Sequence, residues 1–104
     1  MKQNREEVLD LLEIYESLLT KRQQGIMDSY FRYDLSLAEI AEMEKMSRSG
    51  ALDAIHQSIK KLQEYENRLG IIKFRKALKD NYSKAEAGDE KAQAKLKEMI
   101  EHGI

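Results

Sequence analysis

No proline stands anywhere in these 104 residues, and glycine occurs only five times. Proline is the strongest helix breaker and glycine the next, so a chain lacking the one and poor in the other has little to interrupt helix. The apolar residues agree with this, recurring at three and four, the period of one helical face, rather than at two. The expected fold class is all-α, a small helical domain. A chain this short sustains one modest core, which predicts a single domain over residues 1–104. The absence of cysteine removes disulfides, thiolate metal sites and a cysteine nucleophile, and suits a reducing compartment.

Stripes and caps delimit the elements. Val8, Leu11, Leu12, Tyr15, Leu18 and Leu19 form one stripe, predicting a helix over about 4–19 whose outer face carries Glu6, Glu7, Asp10, Glu13 and Glu16. Thr20 with Gln23, and Ser36 with Glu39, have the spacing of capping boxes, which start helices near Lys21 and Leu37. The first of these turns Ile26, Met27, Tyr30 and Phe31 inward and ends between Arg32 and Leu35; the second is short, over about 37–44, with Leu37, Ile40 and Ala41 inward. After the turn Lys45-Met46-Ser47, the Ser47 hydroxyl caps a fourth helix. Its stripe of Ala51, Ile55, Ile59, Leu62, Tyr65, Leu69 and Ile72 predicts a run to about Leu78, interrupted only by Gly70. Residues 80–89 read as a polar segment. Asp89 then caps a last helix carrying Ala92, Leu96, Met99 and Ile100, and Gly103 suits its end.

The stretch from Ser36 to Leu62 bears most directly on function. A short capped helix, a three-residue turn and a longer helix make a helix-turn-helix arrangement over about 36–62, with a helical extension over about 71–104. In that arrangement the second helix enters the DNA major groove with its N-terminal residues toward base edges. Ser49, Leu52, Asp53, His56 and Lys60 share one exposed face by their spacing, flanked by Arg48 and Gln57 and preceded by Ser47. Arg48, Ser49 and Gln57 can donate to bases or phosphates, whereas Asp53 and Leu52 do not seek phosphate. Two plainer readings stand beside this one. The motif can serve protein contacts instead, or the face is merely solvated, with Asp53 balancing Arg48 or Lys60.

The net charge of −1 conceals a cancellation. Residues 1–19 carry −3, while residues 71–87 carry +3 through Lys73, Arg75, Lys76, Lys79 and Lys84 against Asp80 and Glu86. Phe74 and Tyr82 interleave with these cations and could stack on unpaired bases, making a secondary basic patch of Lys73, Arg75, Lys76 and Lys79. Solvated lysines over two core aromatics explain the same pattern. Ile55, Leu62 and Leu69, spaced by sevens, suggest either a homodimer seam along the long helix or a stripe covered by the chain's own first and last helices.

Nothing points to catalysis, a metal or another cofactor. His56 and His102 are far apart, Gly50 and Gly70 are isolated rather than part of a phosphate loop, and pairs such as Glu6 with Glu7 lie on exposed faces. The first nineteen residues have no apolar run longer than two, so neither a signal peptide nor a membrane span is expected and the protein should be soluble and cytoplasmic.

The segments LLTKRQ, YFRYDLSLAEIA and SRSGALDAI together resemble the YlxM family of small bacterial helix-turn-helix proteins over about Val8 to Asp80, a region similar to the DNA-binding region four of sigma factors. The resemblance implies an all-helical, non-catalytic, cytoplasmic protein whose gene commonly neighbours those of signal recognition particle components. It also implies a regulatory part in that pathway through DNA, or through contacts with the particle's protein or RNA. By position it makes Ser47, Arg48, Ser49, Leu52, Asp53, His56 and Gln57 the recognition-helix residues. This chain departs from the family pattern with Lys45 for the glycine of the turn, Glu44 for an apolar residue before it, Gly50 for alanine and Leu52 for tyrosine. Those departures weigh against DNA affinity and spare the fold.

Overall fold

The computed structural model describes residues Asn4–Gly103. Among them are α1 (Arg5–Tyr15), a 3-10 turn (Glu16–Leu18), α2 (Lys21–Met27), a π-helical segment (Asp28–Arg32), α3 (Leu37–Glu44), α4 (Arg48–Leu69), α5 (Ile71–Glu86) and α6 (Glu90–His102), and no strand. The chain divides into two compact units, one ending at Arg68 and the other beginning at Leu69.

Side chains cap the helix starts, at Thr20, Ser36, Ser47 and Asp89 as anticipated and at Asn4 in addition. The Asn4 carboxamide oxygen accepts from the Glu7 N–H at 2.8 Å, and the Asp89 carboxylate accepts from the Ala92 N–H at 3.1 Å. Thr20 with Gln23, and Ser36 with Glu39, close both halves of their capping boxes. Ser47 Oγ accepts from the Gly50 N–H at 2.9 Å. Each such cap typically stabilises its helix by about 1 kcal/mol.

The first unit is organised around one apolar core. Val8, Leu12, Met27, Ile40, Ala51, Ile55 and Leu62 are fully buried there, joined by Leu11, Tyr15, Leu19, Ile26, Phe31, Ala41 and Ile59. Ser58 is buried among them and donates to the Ala54 carbonyl one turn back at 2.8 Å, so its hydroxyl enters the core satisfied. Ions fasten the periphery. Arg32 pairs with both Glu16 and Asp28, which hold its guanidinium more firmly ionised than usual, the Glu16 hydrogen bond contributing most. Arg5 donates to the Phe31 carbonyl and pairs with Asp34 at 2.6 Å.

The structure corrects several sequence expectations. Leu18 is half exposed, because α1 stops at Tyr15 and the tighter 3-10 turn rotates the register, sending Leu19 rather than Leu18 inward. The helix expected to reach Leu78 ends at Leu69: Gly70 adopts φ +62°, ψ +25°, and α5 starts afresh at Ile71. Residues 80–86, read as part of a polar segment, continue α5. Ile55 and Leu62 of the heptad spacing are consumed by the first unit's core, leaving Leu69 48% exposed.

The second unit is a helical hairpin of α5 and α6. Ala92 and Met99, seven residues apart, are its buried positions; Ile100, one residue further round the helix, is exposed rather than inward. Asn81 donates toward Met99 Sδ at 3.7 Å and Gln93 donates to the Ala85 carbonyl at 3.1 Å, tying the two helices.

Two helix ends share one hydrogen-bond pattern. At the end of α3 the Met46 N–H bonds to the Ala41 carbonyl at 2.9 Å and the Lys45 N–H to that of Glu42 at 3.3 Å. At the end of α5 the Asp89 N–H bonds to the Lys84 carbonyl and the Gly88 N–H to that of Ala85, both at 3.1 Å. Both are Schellman motifs, which require a left-handed residue at their centre. In α5 that residue is Gly88; in α3 it is Lys45, at φ +54°, ψ +51°. A Cβ in this conformation costs about 1–2 kcal/mol, partly offset by the smaller entropy lysine loses on folding. Lys45→Gly is therefore expected to raise stability by about 0.5–1 kcal/mol, seen as a higher urea midpoint at unchanged m-value.

Candidate nucleic-acid interface

The α3–turn–α4 segment starts from its caps. Ser36 opens α3, Ile40 and Ala41 anchor it in the core, and the left-handed Lys45 reverses the chain within the three residues 45–47. Ala41, small and buried, permits a close approach of neighbouring backbone. Arg22 of α2 secures the corner, donating to the Glu44 carbonyl at 3.1 Å and lying 3.8 Å from the Glu44 carboxylate. Glu44, which replaces an expected apolar residue, is thus held by a cation rather than by packing.

On α4 the face opposite Ala51, Ile55, Ile59 and Leu62 is presented to solvent. Ser49, Asp53, His56, Gln57 and Lys60 are exposed along it, and Arg48, the first residue of α4, is exposed at the open end of the core stripe. Among the described residues none of Arg48, Asp53, His56 or Lys60 takes part in an ion pair, so Asp53 does not neutralise its basic neighbours by direct contact. Leu52 departs from expectation: it is half-buried, at the border between this face and the core. Ser47 is exposed, but its hydroxyl oxygen is engaged as the cap and lies 3.2 Å from Ser49 Oγ. Gly50 stands beside this pair, and a methyl group there would lie 3.0 Å from Ser47 Oγ, so an alanine at this position would crowd the cap.

Sequence reasoning did not single out Lys45, Lys61 or Arg22 as parts of this surface. Lys45 and Lys61 are exposed beside the residues already named. The signal for Lys45 was present, as a lysine in a turn that asks for glycine; Arg22 could be found only from the tertiary contact to Glu44.

The secondary basic residues belong to the other unit. Lys73, Arg75, Lys76 and Lys79 are all exposed on α5, with Phe74 half-buried among them. Tyr82 is 54% exposed, and its hydrogen bond to Glu86, aided by that carboxylate's charge, raises the phenol's pKa. Among the described residues no cluster of three or more His, Asp or Glu side chains could hold a metal, and no helix is long and apolar enough to cross a membrane.

A capped α3, a three-residue corner and a 22-residue α4 with one face of its N-terminal half exposed define a helix-turn-helix protein. The chain belongs to the family described as "Putative helix-turn-helix protein, YlxM / p13 like" (UPF0122), which it matches over residues 2–101. It is similar to a UPF0122 protein of Clostridium botulinum, 38% identical over 78% of this chain and 84% of that relative. One of Clostridium kluyveri is 41% identical over 68% of this chain, which spans 64% of that relative's length. One of Fusobacterium nucleatum is 37% identical over 70% of this chain and 71% of the relative.

The cap of α3 makes the segment sensitive to acid. The Ser36 N–H and hydroxyl bonds to the Glu39 carboxylate hold it below its ordinary pKa of 4.5. A carboxylate depressed on folding contributes stability above its ordinary pKa and loses that contribution as pH falls through the lowered folded value. The unfolding free energy of the parent chain should therefore fall more steeply below pH 4.5 than that of Glu39→Gln, whose amide oxygen can still accept from Ser36. Parallel pH profiles for the two proteins would show that the box is pH-independent.

Proposed function

We propose that this protein is a non-catalytic helix-turn-helix regulator that binds duplex DNA through the N-terminal half of α4. The observation that carries the reading is the joint exposure of Arg48, Ser49, His56, Gln57 and Lys60, free of ion pairs, on the second helix of the motif. Arg48 is placed to reach a guanine edge or a phosphate, Gln57 an adenine edge, and Lys60 the phosphate backbone. Ser47 orients the helix rather than reading bases, and Leu52 supplies packing at the edge of the face. Asp53 sits among the donors as the one carboxylate, accepting from a cytosine amino group and repelling phosphate. Few cations face the DNA, so affinity is modest and the salt dependence shallow.

Binding of duplex DNA across a salt series tests this. The expected result is a log–log slope of about −0.9 for each phosphate neutralised, with Arg48→Ala weakening binding at least several-fold while the circular dichroism stays unchanged. A flat response, or an Arg48→Ala protein that binds as the parent does, would refute it.

A second reading rests on the α5 cations and on the family resemblance. In it the chain is an adaptor, meeting protein or RNA of the signal recognition particle through Lys73, Arg75, Lys76 and Lys79. Lys76→Glu with Lys79→Glu should then abolish association with the particle's purified protein or RNA; undiminished binding argues against it.

A further inference from the structure

We propose that Lys45 is a phosphate-contacting residue of the DNA interface, held at the corner of the motif at the expense of backbone strain. This rests on the reading of α4 as the DNA-facing helix. The chain contains its own control: the Schellman motif that ends α5 has the same pair of hydrogen bonds and uses Gly88 at the position where α3 uses Lys45. Among the described residues the other non-glycine residue at positive φ is Asp34, at φ +55°. Asp34 belongs to a residue type that tolerates the left-handed region, and its carboxylate is paired with Arg5 at 2.6 Å. Lys45 has neither compensation. Its side chain is exposed, and among the described residues it enters no ion pair.

The surroundings favour an anion. The adjoining carboxylate, Glu44, is paired with Arg22 at 3.8 Å rather than with Lys45. Arg48 follows three residues later on the exposed start of α4. When the second helix of such a motif lies in the major groove with its first turn toward the bases, the corner before it faces the sugar–phosphate wall of that groove. A compact ammonium on a flexible stem binds phosphate there as a point charge, without reading sequence. Strain retained at an exposed corner, with a free cation as its only product, is the pattern of a residue kept for a ligand.

The test uses the full-length chain, a mixed-sequence duplex of about 20 base pairs, and fluorescence anisotropy between about 50 and 200 mM salt. Lys45→Gly and Lys45→Gln should each flatten the log–log slope by about 0.9 and weaken binding roughly fivefold at 0.15 M salt, whereas Lys45→Arg retains both. The two neutral variants separate charge from strain: Lys45→Gly gains stability and Lys45→Gln does not, yet both lose the same affinity. A slope unchanged in Lys45→Gln, with the parent binding in a salt-dependent way, overturns this inference alone. A parent that does not bind overturns it together with the reading of α4 on which it stands.

Discussion

Two backbone hydrogen bonds, from Met46 to the Ala41 carbonyl and from Lys45 to that of Glu42, decide where α3 stops and in which direction α4 leaves. They form only if Lys45 is left-handed, and once formed they leave three residues between the helices. With so short a corner, the core positions follow. Ile40 and Ala41 on one side, and Ala51 and Ile55 on the other, reach one apolar interior. The exposed half of α4 is then whatever that interior does not use. Arg22, bonded to Glu44, braces the same corner from α2.

Charge is deployed unevenly along the chain. In the first unit Arg5 and Arg32 are spent on structure, bridging Asp34 and the Phe31 carbonyl in one case and Glu16 with Asp28 in the other. Exposed pairs of this kind contribute little energy each, but they hold the ends of α1 and the π-helical segment in register. The cations on α4 and at its corner are not so engaged. The net charge of −1 therefore says little about any one surface. A protein of near-neutral total charge can still present a locally basic helix start, because the acidic residues are concentrated on a different element, α1.

The caps were legible because each depends on residues three apart and on nothing remote. Thr20 with Gln23, Ser36 with Glu39, and Asp89 all stand where their spacing put them. The apolar stripe of α4 was legible through Leu62 for the same reason of periodicity. Beyond that, the stripe misled: Leu69 and Ile72 keep helical spacing across Gly70, but spacing does not report that Gly70 turns left-handed and ends the helix. Leu18 was misplaced because a 3-10 turn changes the angular step. Leu52, judged by spacing alone, fell on the exposed face, whereas packing at the border of the core half-buries it. Arg22 could not have been assigned a role, since its partner is 22 residues away.

What the sequence determined by itself is the helical class, most of the helix starts and the existence of a short helix, a corner and a longer helix between Ser36 and Leu62. These rest on local propensity, caps and period, which act within a few residues. Tertiary structure alone decided that Glu44 pairs with Arg22 and that Ile55 and Leu62 are covered within the chain. Those outcomes depend on which surfaces meet in three dimensions, and the energies that settle them come from burial and from contacts between residues distant in sequence.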